Sequence, residues 1–424
     1  MKRTLTFVVA FWFVSDCTWS VRAHADEGAL SENPIEDYER EHWSFRPIDS
    51  PAIPRQKKGR PASTVDAFVF AEQEKRGLVP APPAGRSPLL RRVTIDLTGL
   101  PPTPGEINSF LVDDHPDAYV RVVDRLLASP QYGQRWGQFW LDLARFAETD
   151  GFEHDKVRDT AWQYRDWVVD ALNEDLGYDQ FVEWQIAGDI LAPNDPDAKL
   201  ATAFCLSGPD MPDINSQIER KHVLLNEITS TVGAVFLSLQ IGCAQCHDHK
   251  YDPISQADFY RLRAYFESAI KLKANKSVAV LSANAADATP RMYARGDWKS
   301  PADEVSASTP RIVTTDRPSN GREHLARWLS DAKNPLVARS IVNRVWQRHF
   351  GTGLSSTPSD FGFIGDEPSH PELLDHLASE LIRHDWSLKW LHREILLSSV
   401  FRTTSLRPAE HQHAKDWELS RQSD

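Results

Sequence analysis

Apolar residues recur at intervals of three and four along most of this 424-residue chain, and this spacing limits the possible folds. Such residues line one face of a helix, whereas a half-buried strand alternates apolar and polar positions. The clearest example is the set Tyr119, Val122, Val123, Leu126 and Leu127. The sequence shows no strong strand signals, so it predicts a mainly α fold of two helical domains joined by an irregular linker.

Breaks in the helical spacing set the predicted domain boundaries. We predict one helical domain over residues 63–270 and a second over 322–424. Residues 271–321 consist mostly of Ala, Ser, Asn, Thr and Pro, a composition typical of a linker. Residues 26–62 form an extended lead-in, which we expect to dock through its aromatic cluster from Trp43 to Phe45.

The N-terminal segment, residues 1–25, has the pattern of a secretory signal peptide. Lys2 and Arg3 precede an apolar run from Leu5 to Val14, and Ala23-His24-Ala25 offers small residues to a signal peptidase. A retained anchor is the alternative, but a membrane-spanning helix needs about 20 apolar residues. We therefore expect export to the periplasm or cell surface, with no integral membrane segment after cleavage.

Net charge restricts the partners of the exported chain. The full sequence carries −12 at pH 7, and loss of three basic residues and one acidic residue with the signal leaves −14. An acidic protein repels nucleic acid and anionic membrane surfaces. We expect an exported redox partner with a basic surface, and no nucleic acid.

The motif Cys243-Ala244-Gln245-Cys246-His247 carries the most specific chemistry in the chain. Its two thiols can each add to a vinyl group of haem, and the following histidine can ligate the iron. Beyond the signal the chain has one further cysteine, Cys205, and an odd number fits thioethers better than a disulfide scaffold. The motif predicts one covalent haem c, with His247 as the proximal ligand.

Three other uses of the motif stay open: a redox dithiol, a zinc or iron site that includes His249, and a local disulfide. A thioredoxin-type dithiol opens a helix, whereas we expect a helix from Ser216 to Gln240 to end just before Cys243. Two thiolates and two imidazoles suit zinc. His247 and His249 are, however, closer in sequence than the usual pair of zinc-binding histidines.

Two residues are candidates for the distal iron ligand. Met211 lies in a turn-rich stretch, and His222 lies on the helix that follows it. A methionine would raise the reduction potential relative to a histidine. The ordinary alternatives are packing for Met211 and a solvated helix position for His222.

A second polar cluster gathers four carboxylates and an imidazole around Gly151: Glu148, Asp150, Glu153, His154 and Asp155. Such a group can bind a divalent cation or supply paired general acids and bases. Its spacing fits no defined calcium loop, which favours a solvated acidic loop and makes a cation site the alternative.

Two polar groups in the predicted second domain receive no functional role. Asn343, Arg344, Gln347 and His349 share one helix, and we expect most of this polarity to be solvated or to cap the helix. The triplet Asp360-Phe361-Gly362 occurs in kinases but lacks every companion motif here.

With these residues in view, the chain resembles a two-domain family abundant in planctomycetes, a cytochrome-c-like domain followed by a planctomycete surface-protein domain. The stretches that match in the first domain are His42–Pro47, Arg91–Pro102, Tyr164–Trp167 and Gly242–Pro253. Those in the second are Asn334–Leu336, Asn343–Trp346 and Ser369–Leu374.

The resemblance implies an exported haem protein that acts near the breakdown of polysaccharides or sulfated glycans. Many relatives carry a further N-terminal cytochrome domain, but here Trp43 follows closely on the signal, so we expect one haem. The second domain of relatives continues beyond the point where this chain stops, so we expect a C-terminal truncation.

Electron transfer by an exported c-type haem protein is the leading functional hypothesis. The first alternative is a haem- or metal-dependent enzyme that acts near polysaccharide breakdown. The second is a surface or structural module without haem. The sequence assigns no catalytic residue.

Overall fold

The computed structural model describes residues 32–55, 63–273, 276–277, 279–282, 288–313 and 321–405. The predicted signal peptide and the predicted C-terminal truncation lie outside the described residues. The chain divides into two compact units, and the second, Asn33–Asp424, contains nearly all that is described.

The described residues are mainly helical, as predicted. The α-helices are α1 (Asp37–Arg40), α2 (Thr64–Lys75), α3 (Arg86–Thr98), α4 (Pro104–Val112), α5 (Ala118–Leu127), α6 (Pro130–Leu143), α7 (Ala161–Asn173), α8 (Tyr178–Leu191), α9 (Pro196–Ala201), α10 (Gln217–Val232), α11 (Gln256–Ala264), α12 (Arg322–Ser330), α13 (Val337–Phe350), α14 (Pro371–Arg383) and α15 (Leu388–Leu397). In the described ranges, none of these helices is long and apolar enough to cross a membrane.

The strands β1 (Arg291–Tyr293) and β2 (Pro301–Glu304) form an antiparallel pair, with Arg291 opposite Glu304. Both strands lie in the region predicted as linker. A short 3₁₀ turn, Ala294–Gly296, follows β1 directly. This hairpin is the one sheet in the described part of the chain.

Side-chain caps begin several helices at positions that the sequence marks. Ser63 Oγ accepts a hydrogen bond from the Asp66 amide at 3.2 Å, and Ser387 Oγ accepts one from the Trp390 amide at 2.9 Å. These bonds satisfy amides that lack a partner in the first turn of a helix. Gly77, just after α2, has a φ of +69°, which suits glycine at the end of a helix.

Aromatic side chains fill the space between α6, α7 and α8. Trp140 of α6 lies edge-on to Phe181 of α8, with ring centroids 4.8 Å apart. The Gln185 side-chain oxygen accepts hydrogen bonds from Trp140 Nε1 at 2.9 Å and Tyr164 Oη at 2.7 Å. The polar ends of these rings are therefore satisfied inside the core, as buried polar groups require.

Ion pairs with a buried arginine join separate helices. Arg322 of α12 makes two hydrogen bonds to Asp189 of α8, at 2.7 and 2.9 Å, and a third to the Ile186 carbonyl. Arg339 of α13 pairs with Asp375 of α14 at 2.6 Å. The helices predicted as the second domain thus pack directly on those predicted as the first.

Arg339 also holds the lead-in. Its Nη1 donates to the Arg46 carbonyl at 2.8 Å, and Phe45, the residue before Arg46, is buried. The ring of Trp43 lies 4.9 Å from that of Phe361. The predicted docking through Trp43 and Phe45 is confirmed.

We expect the substitution Arg322→Met to lower the free energy of unfolding by about 3 kcal/mol, because it leaves the buried Asp189 carboxylate unpaired. The matched control is Arg393→Met, since Arg393 pairs with Asp124 at 2.8 Å on the surface. Loss of that exposed pair should change stability by less than about 1 kcal/mol. Urea unfolding followed by circular dichroism measures both, and equal losses would contradict a structural role for the buried pair.

Acid should weaken the fold partly through His370, at the start of α14. Burial lowers the pKa of His370 from 6.5 to about 4. The unfolded chain therefore takes up a proton that the folded protein resists, so stability falls as the pH drops from about 6.5 towards 4. Between pH 6.5 and 4.5, the His370→Gln variant should lose less stability than the parent, by on the order of 2 kcal/mol. Urea unfolding at each pH gives the slopes, and an unchanged slope in His370→Gln would refute the assignment.

Candidate functional site

The chain reaches the Cys243 motif through a change of helix type rather than through one long helix. The α-helix ends at Val232, a π-helical turn covers Gly233–Leu237, and Ser238 has a left-handed φ of +50°. The predicted helix from Ser216 to Gln240 was therefore too long. The cause is a tertiary contact, because a Cβ on Gly233 would lie 2.3 Å from the side chain of Ile241.

The two motif cysteines lie on a short 3₁₀ turn, Ile241–Gln245, and just after it. Ile241 and Ala244 are buried and anchor the turn, whereas Cys243 and Cys246 are exposed, free thiols. α11 fixes the turn from outside, because Tyr260 Oη donates to the Gln245 carbonyl at 3.0 Å. A rigid backbone thus presents both sulfur atoms to solvent.

His247 follows directly and is also exposed. Its Nδ1 lies 2.7 Å from the Asp248 carbonyl oxygen, a contact that requires a proton on Nδ1. The Nε2 lone pair is then available as a ligand, and no partner for Nε2 occurs among the described residues. Asp248 is held in turn by the Gln256 amide, which donates to its carboxylate at 2.8 Å.

His249 is engaged elsewhere and does not join the thiols. Its Nδ1 accepts a hydrogen bond from the Asp252 amide at 2.8 Å, and its side chain is only 4% exposed. In the described ranges, no group of three or more His, Cys, Asp or Glu residues is arranged to hold a metal ion. The zinc alternative that included His249 gains no support from this geometry.

The triplet from Asp360 to Gly362 packs against this loop. The Phe363 amide donates to Asp252 Oδ1 at 2.7 Å, and burial raises the pKa of the Asp252 carboxyl. A Cβ on Gly362 would lie 2.4 Å from both carboxylate oxygens, so a side chain there would collide with Asp252. The triplet thus has a packing role next to the motif.

The connection between β1 and β2, at Gly296, covers one side of Cys246. A Cβ on Gly296 would lie 2.9 Å from Cys246 Sγ, and Gly296 has a φ of +72°. The Gly296 carbonyl lies 3.1 Å from His222 Nε2, and the Tyr293 ring stands edge-on to the His222 imidazole at 4.7 Å. One short turn therefore touches both Cys246 and a predicted distal ligand.

His222 is buried rather than solvated. Its Nε2 donates to the Gly296 carbonyl, and its Nδ1 lies 3.3 Å from Arg263 Nη1. Burial, reinforced by the Arg263 charge, lowers the pKa of His222 to about 4. The ring is therefore neutral at pH 7 with both nitrogens engaged, and to ligate iron it would have to give up the bond to Gly296.

Met211 is half-buried in the turn before α10. Its carbonyl accepts from the Ile214 amide at 3.2 Å, and the preceding Asp210 pairs with Arg220 at 2.6 Å. The choice between Met211 and His222 as distal ligand stays a prediction.

The residues of the acidic cluster turn in different directions. Asp150 is buried, where its Oδ1 accepts from Arg158 Nε at 2.8 Å and from Ser277 Oγ at 2.6 Å. Glu148 pairs with Arg165 at 2.9 Å, and Asp155 accepts from the Gly151 amide at 3.0 Å. Two other members are exposed: Glu153 and His154, the latter 3.4 Å from Asp213. Asp150 thus connects the segments that contain Arg158 and Ser277 through hydrogen bonds. The cation site stays a prediction.

The expectation of a solvated polar face on α13 was wrong. Asn343, Arg344 and His349 are buried, and Asn343 exchanges two hydrogen bonds of 2.9 Å with the backbone of Ser355. His349 Nε2 lies 2.9 Å from Nδ1 of His392 on α15. The helix is buried on all sides from Val337 to Trp346, so this part has no solvent-exposed polar face that the spacing of its residues could indicate.

Residues 64–271 match the family model PSCyt2, described as a protein of unknown function (DUF1549), and residues 321–422 match PSD1, described likewise (DUF1553). The chain thus matches two successive domain models. This confirms the resemblance at the level of two successive domains of unknown function. No curated protein and no solved structure matches the chain.

The three cysteines of the described residues should differ sharply in reactivity when no haem is attached. In a Cys17→Ser background, Cys243 and Cys246 should react with a thiol reagent in the native protein because both are exposed. Cys205 should react only on unfolding, since it is 2% exposed and burial raises the pKa of its thiol to about 12. Counting thiols before and after denaturation checks this; three fast thiols would contradict the placement of Cys205.

Proposed function

We propose that this protein is an exported c-type haem protein that transfers electrons, with Cys243 and Cys246 as attachment points and His247 as the proximal ligand. The observation that carries the proposal is the arrangement of His247. Its Nδ1 proton is committed to the Asp248 carbonyl, so its Nε2 is a ready ligand beside two exposed thiols. This donor set fits covalent haem.

Attachment needs no oxidant. Cys243 and Cys246 would hold the haem by adding each S–H across a vinyl double bond, with the sulfur bonded to one vinyl carbon and the hydrogen to the other. The exposure of Cys243 and Cys246 makes both sulfur atoms accessible for this addition. When bound, haem supplies a one-electron couple.

The chain's own residues would orient this site. The Asp248 carbonyl fixes the His247 tautomer and increases the basicity of its other nitrogen. Gln256 Nε2 donates to the Gln245 carbonyl at 2.9 Å, which holds the turn between the two cysteines. The charge of −14 expected after signal removal would steer encounter with a basic exported partner in the periplasm or at the cell surface.

Expression of the full chain in a periplasm with haem-attachment machinery tests the proposal. A pyridine haemochrome spectrum and a haem-stained denaturing gel should show one covalent haem per chain. Cys243→Ala and Cys246→Ala should each lose a thioether, and the double variant should lose covalent haem altogether. Cys205→Ala is the matched control and should keep full staining, because Cys205 is buried away from solvent.

A folded product without haem would overturn the proposal. The folded state is checked independently by circular dichroism. The same material tests the distal position, since replacing the true ligand changes the Soret band and the reduction potential. Met211→Ala and His222→Ala are compared for this purpose.

A further inference from the structure

A cavity of about 290 Å³ lies between α6, α13 and α15. Aromatic side chains of α6 line it together with Arg344 and Arg348 of α13. His392 of α15 also lines the cavity. Its volume is at the lower end of the range of small-molecule sites, about 300–1,000 Å³, which suits a single ring with substituents.

Four of the lining residues carry buried polar atoms without a hydrogen-bond partner in the described part of the chain. They are Tyr132 Oη, Trp136 Nε1, Arg344 Nε and Nη1, and His392 Nε2. Native proteins pair nearly all such atoms, because each unpaired one costs about 1–3 kcal/mol. Tyr132 and His392 are fully buried, whereas Arg344 and Trp136 each keep 7% of their surface exposed, so these two can be reached by a ligand that supplies partners.

Arg344 defines the charge of that ligand. The side chain is buried, and its Nη2 donates to the Ala234 carbonyl at 2.7 Å. Burial lowers the pKa of Arg344 to about 10, so it remains charged at pH 7. Among the described residues, no carboxylate lies within ion-pair distance of Arg344 or Arg348. A buried unpaired cation is costly, so the cavity favours an anion.

His392 defines a second feature. Asp96 Oδ2 lies 3.6 Å from His349 Nδ1, which favours a proton on that nitrogen. His349 Nε2 then accepts from His392 Nδ1 at 2.9 Å. His392 is fully buried, so its ring closes the cavity on this side and offers no hydrogen bond to a ligand.

The aromatic wall defines the third. Trp136, Phe139 and Trp140 line the cavity, and Arg348 lies over the Phe139 ring at 4.0 Å. Such a wall packs against the flat or apolar face of a ring, and the Trp136 N–H can donate to one of its oxygens.

We propose that this cavity binds a small cyclic acid, whose acidic group pairs with Arg344 and whose ring packs on Trp136. No residue of the Cys243 motif lines the cavity, and binding there does not depend on haem attachment. A sugar acid and an aromatic hydroxy acid share this chemistry, and the test separates them.

Isothermal titration calorimetry on the full chain tests the site with D-glucuronate and 4-hydroxybenzoate. Their neutral counterparts, D-glucose and phenol, are the ligand controls. At least one acid should bind, and it should bind at least about tenfold more tightly than its neutral counterpart. Binding of glucuronate alone assigns a sugar acid, and binding of 4-hydroxybenzoate alone assigns an aromatic acid. No binding of either acid, or equal binding of the neutral compound, overturns the proposal.

Variants separate binding from folding. Arg344→Met should abolish binding of the acid yet leave the protein at least as stable in urea, because it removes a buried unpaired charge. Trp136→Phe keeps a ring but loses the N–H, so affinity should fall about tenfold. Arg393→Met, on the exposed face of α15, is the matched control and should bind like the parent. Unchanged affinity in a folded Arg344→Met variant overturns the proposal.

Discussion

The burial of arginine side chains is the constraint on which the rest of this structure depends. A guanidinium inside a protein is costly unless its charge is paired and its five N–H donors find acceptors. Arg220 meets that demand by binding Asp210 and the carbonyls of Lys273 and Lys276. Arg322 and Arg339 do the same for α8 and for the lead-in. Irregular segments are thereby fixed to helices far away in sequence.

Contacts from several elements hold the candidate site in place. The motif turn lies between the end of α10, α11 and the hairpin of β1 and β2, and each contributes a direct contact. Ser238, just before the turn, bonds to Ser340 of α13 at 2.7 Å. Residues of the matched DUF1553 region thus help position the motif within the matched DUF1549 region.

The sequence correctly predicted those features that depend mainly on neighbouring residues. The helical class and the docking of Trp43 both follow from spacing and residue type. The end of α10 did not, because it depends on Ile241 folding back onto Gly233. The partners of His249 and Arg344 could not be predicted from the sequence either, since they are backbone amides and carbonyls that the fold brings near. A sequence does not distinguish a buried arginine from an exposed one.

Gly296 lies next to both Cys246 and His222, which are 24 residues apart in the sequence. A group added to Cys246 Sγ on the side of Gly296 would meet that residue, and a displaced Gly296 would no longer offer its carbonyl to His222. Modification of the thiol on that side would then be coupled to release of the imidazole. By reciprocity, a mutation that loosens His222 from the hairpin would also make Cys246 easier to modify.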